Sequence, residues 1–233
     1  GFFMGYWMGG MPGRWWREKA KSGGQVHEQT THEIDLARYL FGEATRVYAV
    51  DRTGLLPDAD YDIEEASAVS MQFENGVFGV MFSACFIQAG MRRSGLDIFC
   101  QDGSIEYRLR KSLTLSTAEG EHLWEAKNPY TLEMDRTFIE AVRSGDGSKI
   151  RSPYADAVKS AELSIAANQS LLTGQAIHRN PPYQCLLPKN MIISETFWTK
   201  VITDPLGRIT GKSLQSHPFL VLHLPVVVII LFI

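Results

Sequence analysis

The sequence predicts an α+β domain: a largely antiparallel open sheet with helices packed on one face. Three observations predict it. Apolar runs between residues 44 and 126 are broken at regular intervals by turn signals, the mark of successive hairpins. Two helical periods follow after residue 130, and a third precedes the strands at 25–41. The length, 233 residues, suits one full domain plus an extension.

Residues 1–24 mix Gly5, Gly9, Gly10 and Gly13 with Tyr6, Trp7, Trp15 and Trp16, which predicts an incomplete strand and then an irregular loop ending at Gly23-Gly24. The chain opens Gly1-Phe2-Phe3-Met4, as if entered partway through a strand, and is expected to be a fragment. Residues 25–41 follow a helical period that stops at Gly42. A strand is expected over 46–51. Strands over 66–73 and 77–86 flank Glu74-Asn75-Gly76, and strands over 96–100 and 104–109 flank Asp102-Gly103. Strands over 113–116 and 122–125 pair across Glu119-Gly120. Consecutive hairpins give antiparallel pairing. A helix is expected over 132–143, ending at Ser144-Gly145. Another opens at Ser152-Pro153, with Ser152 as N-cap and Pro153 at the first helical position, and runs to Gly174.

The domain is read as residues 1–177. Residues 178–216 form an irregular extension, and 217–233 an apolar tail interrupted by His223 and Pro225. As a helix the run 218–233 reaches only about 24 Å, short of a ~30 Å hydrocarbon core, so a non-native C-terminus is favoured over a membrane anchor.

The charge balance, 23 Lys plus Arg against 26 Asp plus Glu, argues against a nucleic-acid partner. Cys85, Cys100 and Cys185 are odd in number and widely spaced, which fits thiols in a reducing, cytoplasmic setting. No secretory leader is expected at the N-terminus.

The densest polar set lies at 28–39. At ~100° per residue Glu28, His32, Asp35 and Tyr39 share one face of the expected helix, while Val26, Ile34, Ala37, Leu40 and Phe41 gather opposite. A His flanked by carboxylates one turn away can be held in one tautomer with its pKa raised, a general acid/base arrangement. From periodicity alone an ordinary solvated helix face is the favoured reading of the same pattern. His27-Glu28-Gln29-Thr30-Thr31-His32 is not a zinc motif, because its histidines are five apart and diverge by ~140° on a helix. Neither a G-x-S-x-G nor a phosphate-binding loop occurs, and the early glycines do not spell G-x-G-x-x-G. Trp15-Trp16-Arg17 reads as a sugar platform or as core and lid residues. Arg108, Arg110 and Lys111 read as an anion site or as a charged hairpin edge.

The segment Trp15-Trp16-Arg17-Glu18-Lys19, Lys21-Ser22-Gly23-Gly24, Glu28, His32, Asp35, Tyr39-Leu40 and Gly42 resembles the start of the C-terminal domain of Gfo/Idh/MocA oxidoreductases. The resemblance continues through Tyr154-Ala155-Asp156-Ala157 and Ala166-Ala167-Asn168-Gln169-Ser170 and covers about three-quarters of the chain. It implies a glyceraldehyde-3-phosphate-dehydrogenase-like C-terminal fold and an NAD- or NADP-dependent dehydrogenase acting on a sugar, polyol or related hydroxy compound. By the same resemblance His32 is the acid/base, Glu28 stands where the family often has Asp and orients it, and Asp35 hydrogen-bonds substrate hydroxyls. Trp16 and Arg17 are the further substrate-binding candidates. The resemblance also implies a homo-oligomer through the sheet face. The family's dinucleotide fingerprint and Glu-Lys-Pro segment are not in this sequence, so the cofactor would be bound mainly by an N-terminal domain outside it, leaving this chain alone inactive. The alternative is a non-catalytic domain that associates through its sheet.

Overall fold

The computed structural model describes residues 1–178 apart from 12, 57–59 and 128. Cys185 and the readings of 179–216 and of the apolar tail lie outside the described residues. Strands β1 (Phe2–Met8), β2 (Ala44–Arg52), β3 (Ala66–Phe73), β4 (Phe78–Ala84), β5 (Arg93–Cys100), β6 (Gly103–Arg108), β7 (Ser112–Thr117), β8 (Gly120–Glu125) and β9 (Ile177–His178) form one open sheet. Its order is β8-β7-β6-β5-β1-β4-β3-β2-β9. The expected hairpins are all present, and the sheet is open and largely antiparallel, as expected. One pairing departs from the antiparallel rule. β1 lies at the centre, parallel to β4 and antiparallel to β5, so the start of the sequence fills the gap between two hairpin arrays.

Among the described residues five α-helices accompany the sheet: α1 (Lys19–Ser22), α2 (Gln25–Glu28), α3 (Thr31–Phe41), α4 (Tyr130–Ser144) and α5 (Tyr154–Thr173). The core lies between one sheet face and α2, α3 and α5. Phe3, Val47, Val69, Met71, Phe73, Met81 and Leu96 meet Val26, Ile34, Ala37, Leu163 and Ala167 there. Each such Val, Leu or Phe stabilises by roughly 1.5–3 kcal/mol on burial. Ser170 pins α5 to β2, its hydroxyl accepting from Ala49 N–H at 3.0 Å and donating to Gln175 C=O at 2.7 Å. Among the described residues no helix is long and apolar enough to cross a membrane.

Three expectations are corrected. The helix expected over 25–41 is two pieces, because Thr30 N–H reaches Gln25 C=O, five residues back, at 3.2 Å. That widened turn resets the helical phase between Glu28 and His32, so the single row deduced from ~100° steps does not form. Leu40, assigned to the packed stripe, is 46% exposed. The last helix begins at Tyr154, since Pro153 is extended (ψ 157) and itself occupies the N-cap, its carbonyl accepting from Asp156 and Ala157. Ser152 therefore does not cap it, and its hydroxyl is buried without a described partner.

Candidate active site

The entry to α2 is built on a buried carboxylate. Glu64 accepts Gln25 N–H at 2.8 Å and pairs with the Lys19 ammonium. It lies directly beneath Gly24, where a Cβ would come within 2.7 Å of its oxygen and where φ is +95. Glycine is therefore required there, and the Gly-Gly pair fixes where α2 starts. Gln25 is held in turn by the hydroxyls of Ser67 and Ser83, at 3.3 and 2.9 Å, on neighbouring strands.

His32, in the first turn of α3, is half-buried and lines a cavity of about 980 Å³. The cavity lies between the start of α3, strands β5–β8 and α4, with Glu33, Tyr107, Arg110, Trp124 and Tyr130 among its walls. Burial and then the positive charge of Arg110 push the imidazole down to about 4. This reverses the expected rise. Burial, the larger cause, disfavours the charged ring. Burial lifts Glu28 to about 7 against a hydrogen bond from the Gln29 side chain, and it lifts Asp35 above the usual carboxylate range.

Asp35 lines neither described cavity. It accepts the Ser160 hydroxyl and sits 3.7 Å from Arg38. Arg38 in turn binds Ser160 Oγ at 2.7 Å, Glu43 at 2.8 Å and Asp156 at 3.1 Å. Asp35 thus belongs to a network tying α3 to α5. Tyr39 is 69% exposed. His27 shares a hydrogen bond with Ser164 Oγ at 2.8 Å, and among the described residues no three side chains form a metal site.

Trp16 lines a second cavity, of about 600 Å³, together with Trp7, Gln29 and Lys111. Its ring is tilted 57° from that of Trp15 at 5.4 Å, so the two indoles do not make one flat platform. Arg17 lines neither cavity, and its carbonyl accepts Asp62 N–H at 3.1 Å.

Sequence reading missed Glu33. It is 2% exposed, neither of its oxygens has a hydrogen-bond partner in another described residue, and burial lifts it to about 8. It belonged to neither the polar row nor the apolar stripe, so no period marked it.

Residues 1–106 match the family model of the GFO/IDH/MocA C-terminal domain. An oxidoreductase from Agrobacterium radiobacter in complex with NAD+, L-tartaric acid and magnesium is 16% identical with a TM-score of 0.62, over 76% of this chain and 56% of that one. Levoglucosan dehydrogenase in complex with NADH is 21% identical, TM-score 0.65, over 76% of this chain and 57% of that one. A Thermotoga maritima structure gives 18% and 0.65, over 76% and 54%. At these identities the likeness is one of fold. The chain spans just over half the length of these structures. No curated protein sequence matches it.

Proposed function

We propose, from the match of residues 1–106 to the GFO/IDH/MocA C-terminal domain and a fold shared with NAD-bound oxidoreductases, that this chain is the substrate half of an NAD- or NADP-dependent dehydrogenase. Its substrate is a sugar, polyol or related hydroxy compound. The observation that carries the reading is an imidazole kept neutral at pH 7 on the wall of a cavity large enough for a small molecule. Neutral His32 takes the proton of the reacting hydroxyl, and Arg110 beside it favours the developing alkoxide. Glu28, buried in the turn before α3, is the candidate for holding the ring in place. The glycines after β1 lead only into a 3-10 turn and the four-residue α1 and do not spell G-x-G-x-x-G, so the described residues do not themselves fit a dinucleotide. The nicotinamide supplies the hydride chemistry from a preceding domain.

The outer sheet face supports self-association as a further part of this proposal. Phe2, Met4, Phe78, Phe82, Tyr48 and Val50 are all exposed there, a contiguous apolar surface of the kind that marks an interface.

The test takes an upstream-extended protein and substitutes His32→Ala. Turnover is expected to fall by roughly 10²–10⁴, the usual value of acid/base assistance. In the parent the loss of the neutral imidazole itself should show only as the solution approaches pH 4. NADH should bind the extended protein and not the 233-residue chain. Turnover unchanged within a few-fold would return His32 to an ordinary helix face and favour the sheet-mediated interaction domain.

A further inference from the structure

The proton-transfer reading leaves the second cavity unused. It opens where β1 leaves the sheet, and its charged lining is of one sign: Arg92, Arg93, Arg108 and Lys111, with no carboxylate. Arg108 is compensated, its guanidinium lying 2.6 Å from Asp97 and 2.6 Å from Glu106. Arg92, Arg93 and Lys111 make no ion pair within 4 Å among the described residues. Arg93 and Arg108 crowd the same Tyr6 ring, at 5.2 and 5.3 Å from its centroid. A concave site with low-dielectric walls focuses such a one-signed field on whatever enters it.

The cations lead toward His32. Leu109 and Lys111 line both cavities, and Arg110 between them lines the His32 cavity. Arg110 holds φ 61, in the left-handed region that disfavours any residue with a Cβ, and its guanidinium lies 4.9 Å from the Tyr130 ring centroid. Arg110 is the third residue of the hairpin turn closed by Lys111 N–H on Arg108 C=O at 2.9 Å, and that turn holds its charge at the cavity wall. Trp7 and Trp16 add indole surface suited to the C–H face of a carbon skeleton.

We propose that this cavity holds the anionic group, a carboxylate or a phosphate, of a hydroxy compound whose reacting carbon extends to His32. This rests on the dehydrogenase reading and narrows its substrate to an acidic or phosphorylated one. Guanidinium forks pair with carboxylate or phosphate oxygens, and Lys111 adds a point charge.

The full 233-residue chain is titrated at low ionic strength with inorganic phosphate, D-gluconate and myo-inositol, read by tryptophan fluorescence and NMR shifts. At least one anion is expected to saturate the site at least about tenfold more tightly than myo-inositol, since charge-assisted bonds are the stronger class. Phosphate alone assigns a phosphorylated substrate, and gluconate alone a carboxylate. Arg93→Gln and Lys111→Met should each weaken binding by roughly fivefold or more, with Lys111→Arg restoring it, as expected for a charge contact. Because Arg93 and Lys111 are exposed, the variants should melt as the parent does. Failure of both anions to saturate overturns the proposal, as does binding that neither substitution changes. Preference for myo-inositol removes the acidic substrate and leaves the dehydrogenase reading standing. Anion binding in an extended protein that turns nothing over keeps the site and removes that reading.

Discussion

The two halves of the sheet are built to different standards. Along β3 every second residue is buried, from Ser67 to Phe73, and α5 closes over β2 with Ala157, Leu163, Ala166 and Ala167 buried. In β6, β7 and β8 no residue is buried, and neither is any residue of α4. Leu132, Phe138, Ile139 and Val142 of α4 remain exposed although its sequence is amphipathic. His32 stands at the border. Its helix is anchored in the packed half through Ile34 and Ala37 and through the Asp35–Arg38 network, while its ring faces the open half. The difference shows how a site can be held rigidly from behind and left open in front. The packed half sets the position of the imidazole, and the open half supplies the walls, most of the charge and the space.

The largest expected effect separates the halves by packing alone. Leu163→Ala removes a side chain that is 1% exposed and should cost roughly 2–5 kcal/mol in urea unfolding. Phe138→Ala removes a larger side chain that is 49% exposed and should cost under about 1 kcal/mol. Comparable losses would mean that α4 is packed in solution, and the comparison would break.

Next in size is the pH dependence set by Glu33, where the packed half meets the cavity. Burial raises its carboxyl from 4.5 to about 8, and its own N–H and Arg110 oppose the rise only in part. Between those values the folded protein holds a proton that the unfolded chain releases, so stability falls as pH rises from about 4.5 to 8. Glu33→Gln removes the share of that slope due to Glu33 and leaves the share of Glu28, whose carboxyl burial lifts to about 7. The variant should therefore gain on the parent by roughly 1.4 kcal/mol for each pH unit crossed between 4.5 and about 8, with little difference at pH 5. Melting temperatures of both proteins across this range are the check. A parallel decline would show that Glu33 is not the buried acid responsible.

The same border divides what the sequence made legible. Hairpins announce themselves locally, so 66–73 and the turns at Asn75-Gly76 and Asp102-Gly103 were readable from turn chemistry and alternation. Pairings across long separations were not. The parallel contact of β1 with β4 joins residues more than seventy positions apart, and the short β9 on β2 has no flanking turn. At the site, the positions of His32 and Glu28 within a helical segment followed from periodicity and family resemblance. Their electrostatics did not, because a wheel projection carries no depth. Asp35 and Glu28 look alike on it, yet one meets Arg38 and Ser160 and the other is buried beside Gln29. A single widened turn at Thr30 was enough to shift their relative phase.

The smallest expected change in stability is the sharpest probe of coupling between the halves. Arg110→Gly relieves a left-handed residue, a gain of about 1 kcal/mol, and forfeits a guanidinium contact with Tyr130 worth about 0.5–1 kcal/mol. Unfolding free energy should therefore hardly move. The charge of Arg110 nevertheless helps keep His32 at about 4, so its removal should raise the ring's midpoint toward 6.5 without reaching it, since burial remains the larger cause. NMR titration of the His32 ring in parent and variant reads this directly. A shifted midpoint at constant stability would show that the open half tunes the imidazole without supporting the fold. An unshifted one would mean that burial in the packed half sets the proton affinity alone, and that the cations beside the ring act on ligands only.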